Sequence, residues 1–242
     1  MLSPRMCEDS QRLSRAAGSL DWKVVRWADW RVPEGLPETD LVLYAAPLFA
    51  ERVSQLLPID FPEPDDRWLT KLDASLLNRK VEATTLAEAR QIRERSFFKP
   101  ASFKTFRAGV YESGAELPEE DKADGDNPVL VSEVVVWESE FRFFMLDGKA
   151  LTGSVYFRFG ESAEGNGEWP CGEEEFAQAR ETAERAYADC SEGLPAGVVI
   201  DTGYIQGSGW SVIEANPAWG SGLYGSEAVS VLKVLEKTAV SR

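Results

Sequence analysis

Apolar residues along the chain come mainly in short runs, and this pattern predicts more strands than helices. Several runs are rich in β-branched and aromatic residues and lie between clusters of Gly, Pro, Asp and Ser, as strands do. The predicted strands are Trp22–Trp27, Leu41–Tyr44, Ser96–Pro100, Phe106–Tyr111, Val129–Trp137, Glu140–Leu146, Ala150–Phe159, Val198–Ile200 and Trp210–Ile213. Helices are predicted within residues 1–20, in the helix-and-turn segment 65–94, and over Pro47–Leu57, Glu173–Cys190 and Ser226–Lys237.

The order of these elements indicates the architecture. Strand alternates with helix at the start of the chain, which predicts a small α/β layer with parallel strands. The span from Ser96 to Trp137 predicts a small antiparallel sheet. The Asp147-Gly148 turn then predicts a hairpin between the two strands that flank it.

A second hairpin near the end of the chain carries the most informative polar residues. The buried strand Val198–Ile200 ends in Asp201 and is followed by a turn containing Gly203, Gly207 and Gly209, and the next strand ends in Glu214-Ala215-Asn216-Pro217. Antiparallel pairing brings Asp201, Glu214 and Asn216 together. Carboxylate and amide oxygens suit Mg²⁺, so a magnesium site is one interpretation. Ordinary turn residues are the alternative, because Asp, Asn and Gly are common in turns.

Composition narrows the chemistry. The 242-residue chain has 43% hydrophobic and 28% charged residues, which is typical of a globular protein. Its net charge of −15 argues against nucleic acid as a partner. The chain has no histidine, which excludes Ser-His-Asp and Cys-His catalysis and His-ligated metals. Its three cysteines form neither a disulfide pattern nor a zinc motif.

Targeting signals are not evident in the sequence. The N-terminus lacks an apolar segment of signal-peptide length, and the chain has no apolar run of about 18 residues. We therefore expect a cytoplasmic protein without a membrane partner.

Basic residues recur at the ends of successive predicted strands: Lys99, Lys104, Arg107, Arg142 and Arg158. Cations that face metal-binding carboxylates are what a nucleoside triphosphate needs, since they hold its phosphates and offset charge that develops there. The sequence contains no Gly-x4-Gly-Lys-Ser/Thr loop and no N-terminal Gly-x-Gly-x-x-Gly, so neither a P-loop nor a Rossmann site is expected.

Together these segments resemble the ATP-grasp ligases, in particular their RimK-related branch, over nearly the whole chain. The resemblance rests on five motifs in order: Phe97-Phe98-Lys99-Pro100-Ala101 with Lys104 and Phe106; Val131-Ser132-Glu133-Val134-Val135; Glu140-Phe141-Arg142; Ser154-x-Tyr156-x-Arg158; and Asp201-x-Gly203 with Glu214–Trp219 and Ser221–Gly225.

The resemblance implies an α+β / α/β chain with the ATP-grasp fold. We expect a small N-terminal α/β pre-grasp domain over residues 1–80 and an ATP-grasp domain over residues 81–242. The latter would comprise a central antiparallel-sheet subdomain, about 95–137, and a C-terminal subdomain of sheet plus helices, about 138–242. The two subdomains would enclose an ATP cleft.

The resemblance also implies residue roles. Lys99 would contact phosphates, and Lys104 would assist because Ala101-Ser102-Phe103-Lys104 stands where relatives have a Gly-rich loop. The candidate nucleotide-binding residues are a hinge formed by Ser132, Glu133, Val134 and Val135, together with Glu138 near the ribose and Glu140. Arg142 and Arg158 are the candidate catalytic residues, and Asp201, Glu214 and Asn216 the Mg²⁺ ligands.

The implied function is an ATP-dependent carboxylate–amine ligase that forms an amide or peptide-like bond through an acyl phosphate, with ATP and Mg²⁺ as cofactors. Its partners would be a small-molecule or peptide carboxylate and an amine or other nucleophile, and analogy suggests a homodimer. Two alternatives stay open: a nucleotide-binding interaction module on an inactive ligase scaffold, and kinase-like phosphoryl transfer.

Overall fold

The structure is a computed structural model that describes residues 7–27, 41–101, 105–118 and 125–242. Within these ranges the helices are α1 (Glu8–Ser19), α2 (Pro47–Leu56), α3 (Ala74–Leu77), α4 (Leu86–Ala89), α5 (Glu173–Asp189) and α6 (Ala228–Leu235). The strands are β1 (Ile59–Asp60), β2 (Val81–Thr85), β3 (Ser96–Pro100), β4 (Gly109–Tyr111), β5 (Pro128–Ser132), β6 (Trp137–Leu146), β7 (Lys149–Arg158), β8 (Glu161–Ser162), β9 (Gly197–Ile205), β10 (Gly209–Pro217) and β11 (Val240–Ser241). Short 3-10 helices span Trp68–Lys71, Gly114–Glu116 and Ala218–Gly220.

The larger sheet has five antiparallel strands in the order β10-β9-β6-β7-β8. Two hairpins build most of it, and both are at the positions that the sequence predicts. Asp147 and Gly148 connect β6 to β7 with φ values of 46° and 81°. A two-residue turn with positive φ at both positions matches the right-handed twist of the strands on either side.

The smaller sheet has four antiparallel strands in the order β2-β5-β3-β4. The sequence predicts three of these strands, but β2 lies in a segment for which we predict helix and turn. Val81 to Thr85 is paired with Ser132 to Pro128, far along the chain. A distant partner can impose strand conformation that local sequence does not indicate.

A short connection joins the two sheets. The sequence predicts one strand over Val129–Trp137, but β5 ends at Ser132 and β6 begins at Trp137. The intervening residues 133–136 belong to neither sheet. They cross from the smaller sheet to the larger one and form one wall of the candidate site.

Two hydrophobic cores cover opposite faces of the larger sheet. One contains Phe144, Val199 and residues of α1, α2 and α6. The other contains Phe141, Phe143 and residues of α3 and α5. This arrangement follows from the alternation of side chains in β6, where neighbouring phenylalanines point to opposite faces. A third core packs α4 against the smaller sheet through Leu86 and Phe98.

The N-terminal part differs from the prediction. The predicted strands Trp22–Trp27 and Leu41–Tyr44 are not strands, and they contain only single bridge positions at Arg26 and Tyr44. Their buried apolar residues, such as Trp27 and Leu43, pack into the core with α1 and α6 instead of forming a ladder. The predicted layer of parallel strands is therefore absent from the part of the chain that the structure describes.

The helix predictions within residues 1–20 and over Pro47–Leu57, Glu173–Cys190 and Ser226–Lys237 agree with α1, α2, α5 and α6. Among the helices of the described ranges, none is long and apolar enough to span a membrane.

Candidate active site

The last hairpin is longer than the sequence indicates. We predict that the strand ends at Asp201 and that Gly203 belongs to the turn, but β9 continues to Ile205 and residues 206–208 form the turn. Gly203 is needed for a different reason. A Cβ atom on Gly203 would lie 2.7 Å from Cε3 of Trp137 and 2.8 Å from the carbonyl oxygen of Ser139. The strands approach too closely there for a side chain.

A β-bulge in β10 determines which way the polar residues face. The register passes from Val212 opposite Thr202 directly to Glu214 opposite Asp201, so Ile213 is an extra residue. Val212 lies in the core beside α5, as it would in a regular strand together with Glu214. Because of the bulge, Glu214 faces the opposite side of the sheet.

Asp201, Glu214 and Asn216 come together on that side. The Nδ2 atom of Asn216 donates hydrogen bonds to Oδ2 of Asp201 at 3.2 Å and to Oε1 of Glu214 at 2.7 Å. Lys99 reaches across from β3 in the smaller sheet and forms an ion pair with Glu214. The convergence of these four side chains is the arrangement that the sequence predicts.

The two carboxylates have different electrostatic environments. Burial raises the pKa of Glu214, but Lys99, Asn216 and Arg142 more than offset this effect and lower the pKa to about 2. Complete burial raises the pKa of Asp201, against the opposing effect of Arg142. Glu214 thus stays ionised throughout the neutral range.

Arg142 of β6 is anchored between Asp201 and two tyrosines. Its guanidinium donates from Nε to Oδ1 of Asp201 at 2.9 Å and from Nη2 to Oδ2 at 2.7 Å. It also lies over the rings of Tyr156 and Tyr224, at 5.5 and 5.2 Å from their centroids. Burial lowers the pKa of Arg142, but Asp201 raises it by more, so the guanidinium keeps its charge.

Glu140 completes the polar layer on this face. Its Oε2 accepts a hydrogen bond from the hydroxyl of Tyr156 at 2.9 Å. Burial raises the pKa of Glu140, and the charges of Asp201 and Glu214 add to this effect. Glu140 is therefore the carboxylate of the cluster that most readily takes up a proton.

A cavity of about 280 Å³ opens beside Lys99 and Glu214. Ser132, Glu133, Val134 and Val135, which the sequence predicts as a nucleotide-binding hinge, all line it. Its other walls are mostly apolar: Leu69, Val81, Phe97, Val110, Leu130, Trp137 and Ile213. An apolar cavity with a few polar groups at one end is typical of a small-molecule site.

Arg79 also lines this cavity, and the sequence analysis did not single it out. It follows α3, and its guanidinium lies 5.0 Å from the ring centroid of Trp137. Burial lowers the pKa of Arg79 to about 10. No short motif marks this residue, and its role depends on contacts with residues that are far away in sequence.

Arg158 and Glu138 lie apart from the cluster. Arg158 forms a two-point ion pair with Glu175 of α5, at 2.9 and 2.8 Å, on the sheet face opposite Arg142. Glu138 lines a separate cavity with Arg158. The bulge in β6 at Glu140 and Phe141 shifts the alternation on which both predictions depend. Lys104 lies outside the residues that the structure describes.

Helix α1 holds the loop that follows β10, a contact that the sequence does not predict. The carboxylate of Asp9 accepts hydrogen bonds from the backbone N–H of Leu223 and from the hydroxyl of Tyr44, both at 3.1 Å. Arg12 donates to the carbonyl oxygens of Tyr224 and Ser226. The Gly-rich loop beside Arg142 is thereby fixed by two side chains of α1.

The two sheets, the connection between them and the polar residues that face the cavity together define a family. A family model described as an ATP-grasp domain, family 2 of its clade, matches residues 76–234. The chain belongs to the ATP-grasp superfamily. The prediction of a RimK-related ATP-grasp protein, including its fold class, is confirmed.

Solved structures of ATP-grasp proteins show the same fold. The D-cycloserine synthetase DcsG is 16% identical, with a TM-score of 0.57 and coverage of 97% of this chain and 98% of that one. The ATP-grasp ligase PsnB, in complex with a minimal precursor, is 15% identical, with a TM-score of 0.55 and coverage of 97% of both chains. A RimK-domain ATP-grasp protein from Sphaerobacter thermophilus DSM 20745 is 14% identical, with a TM-score of 0.52 and coverage of 97% of both chains. No curated protein matches this ATP-grasp chain by sequence.

Proposed function

We propose that this protein is an ATP-dependent carboxylate–amine ligase that works through an acyl phosphate. The observation that carries the proposal is the contact between Lys99 and Glu214, which brings a cation of one sheet to the polar cluster of the other at the mouth of the cavity. ATP-grasp membership and the similarity to solved proteins named as a ligase and a synthetase support it.

The base of ATP would lie in the apolar part of the cavity. The backbone groups of Val134 and Val135 line it and form no hydrogen bond with another described residue. Unpaired donors and acceptors at a cavity wall suit the edge of a nucleobase, which presents both kinds of group. Ser132 and Glu133 continue this wall.

The triphosphate would extend from the cavity toward Lys99. Asp201, Glu214 and Asn216 offer two carboxylates and an amide, a donor set that fits Mg²⁺, since this ion usually takes one or two carboxylates and completes its shell with water and phosphate. The ion would neutralise the charge of the phosphates. Because Lys99 now pairs with Glu214, nucleotide binding would redirect its ammonium group to the phosphates.

The substrate carboxylate would attack the γ-phosphorus, so that an O–P bond forms, the bond to ADP breaks, and an acyl phosphate results. An amine would then attack the acyl carbon, lose a proton, and expel phosphate. Arg142, kept charged by Asp201, would stabilise the negative charge at the transferred phosphate or at the carboxylate. Positioning and charge neutralisation need no histidine. The proposal assigns no role in these steps to Arg158 or Glu138.

Two measurements test the proposal. Mg·ATP should raise the melting temperature of the wild type, and a panel of carboxylates incubated with Mg·ATP and hydroxylamine should yield ADP and a hydroxamate, the trapped form of an acyl phosphate. Glu214→Gln should form no ADP. The absence of any thermal shift with wild type would contradict the proposal.

The same panel separates the alternatives. Nucleotide binding without ADP formation across all acids and amines would identify an inactive scaffold. A stable phosphorylated product that hydroxylamine does not trap would identify a kinase-like activity instead.

A further inference from the structure

We propose that Arg79 is a positioning residue that fixes the β-bulge of β10 and thereby turns Glu214 and Asn216 toward the nucleotide. This inference rests on the proposed function, which assigns those two side chains to Mg²⁺. Arg79 would act on both through the backbone of the strand that carries them.

The contacts of Arg79 are concentrated at the bulge. Its Nη1 atom donates to the carbonyl oxygen of Val212 at 2.8 Å, and its Nη2 atom to that of Ile213 at 3.4 Å. A bulge disrupts the strand ladder locally and leaves the extra residue unpaired. Arg79 supplies hydrogen bonds at the point where β9 cannot.

The bulge decides which residues reach the site. Val212 and Ala215 face the core beside α5, whereas Glu214 and Asn216 face Asp201. Without Ile213 as an extra residue, Glu214 would share a face with Val212 and point into that core. The orientation of Glu214 therefore depends on whatever holds the bulge in place.

Arg79 also ties the bulge to the smaller sheet. Its Nε atom donates to Oγ of Ser132 at the end of β5, at 3.2 Å, and Nη1 donates to Oγ of Ser211 at 2.9 Å. The guanidinium thus links the sheet that carries Lys99 to the strand that carries Glu214. The distance between these two side chains is set by the same link.

No carboxylate pairs with Arg79 among the residues that the structure describes. A guanidinium that is largely removed from water needs its donors satisfied, and here backbone carbonyls and serine hydroxyls satisfy them. The planar fork of Arg can serve several acceptors at once, which a Lys ammonium cannot do in the same geometry.

The test compares Arg79→Met and Arg79→Lys with the wild type and with Arg90→Met. Arg90 is a matched control because it is also partly buried and donates to a backbone carbonyl, that of Leu117, in a different part of the fold. ATP affinity is measured by calorimetry for each variant with and without Mg²⁺. Arg79→Met should lose about tenfold or more of the affinity gained from Mg²⁺, as happens when residues that orient metal ligands are removed, while Mg²⁺-free affinity changes far less. Arg79→Lys should recover part of the gain, and Arg90→Met should retain it.

A second readout does not depend on nucleotide binding. The chain has four asparagines, Asn78, Asn127, Asn166 and Asn216, so selective ¹⁵N labelling resolves the side-chain amide of Asn216 by NMR, assigned with Asn216→Ser. In the wild type and in Arg90→Met this amide should exchange slowly with solvent, since it donates to two carboxylates. In Arg79→Met it should exchange as a free side chain does.

The two readouts separate the possible failures. A wild type that binds no nucleotide contradicts the proposed function, and the Asn216 signal then decides the role of Arg79 alone. An unchanged Asn216 amide in Arg79→Met overturns the positioning role. An equal loss of affinity with and without Mg²⁺ also overturns it, because Arg79 would then act on the nucleotide directly or only through folding.

Discussion

Arg142 and Asp201 are direct cross-strand neighbours in β6 and β9, and they form a two-point ion pair in a buried position. Asp201 is fully buried, and the side chain of Arg142 is 11% exposed. A charge in such a place depends on its partner, because neither water nor another ion can replace it. This dependence gives the first prediction.

Removal of Arg142 should destabilise the protein more than removal of the whole pair. Arg142→Met should lower the free energy of unfolding by about 3–5 kcal/mol, since it leaves the carboxylate of Asp201 unpaired. The double variant Arg142→Met/Asp201→Asn should recover part of this loss. Urea unfolding of the two single variants and the double variant measures the coupling, and strictly additive losses would contradict it.

The pKa of Glu214 predicts a pH dependence of stability. Its ordinary value is 4.5 and its value in the folded protein is about 2, so the stabilisation is complete above pH 4.5 and is lost as the pH falls toward 2. Glu214→Gln lacks this component. The difference in unfolding free energy between wild type and Glu214→Gln should therefore shrink as the pH falls through this range. A constant difference would show that Lys99 does not hold the carboxylate in its charged form.

Lys99 should matter for nucleotide binding far more than an exposed lysine. Lys99→Met should weaken ATP binding by about 10–100-fold, as expected for the loss of charge-assisted hydrogen bonds to phosphate. Lys149→Met is the control, because Lys149 is 75% exposed and pairs only with Glu184. Calorimetric titration with Mg·ATP measures both variants, and equal affinities would exclude a phosphate contact by Lys99.

Two glycines of the same loop should respond differently to alanine. A Cβ atom on Gly225 would lie 2.6 Å from Oγ of Ser154 and 2.7 Å from Cδ1 of Trp169, whereas one on Gly222 would have no neighbour closer than 3.6 Å. Gly225→Ala should cost about 1–3 kcal/mol of stability through overpacking, and Gly222→Ala about 0.5 kcal/mol or less. Thermal unfolding compares them. A larger loss for Gly222→Ala would mean that the loop packs differently.

Those parts of the site that depend on neighbours in sequence are predictable from the sequence. The hairpins at Asp147-Gly148 and around Gly207 have local turn signals, and they bring Asp201 to Glu214 by pairing alone. Charge also helps: without histidine, Lys99 and Arg142 are among the few residues that can support the chemistry.

Features that depend on distant contacts are not predictable in this way. The bulge at Ile213 has no sequence signal, although it decides the direction of Glu214. Arg79 and Asp9 resemble ordinary surface residues until the structure shows their acceptors and donors. Arg158 follows the strand pattern expected of a site residue, yet a bulge in the partner strand places it beside α5.

The contacts between α1 and the loop after β10 join residues separated by 212 to 214 positions. During synthesis the ribosome releases α1 long before it releases Tyr224, so Asp9 and Arg12 have to wait for nearly the entire chain. Contacts of such long range are paid for with chain entropy and tend to form late. A nascent or prematurely terminated chain can therefore contain both hairpins and still lack the finished loop next to Arg142.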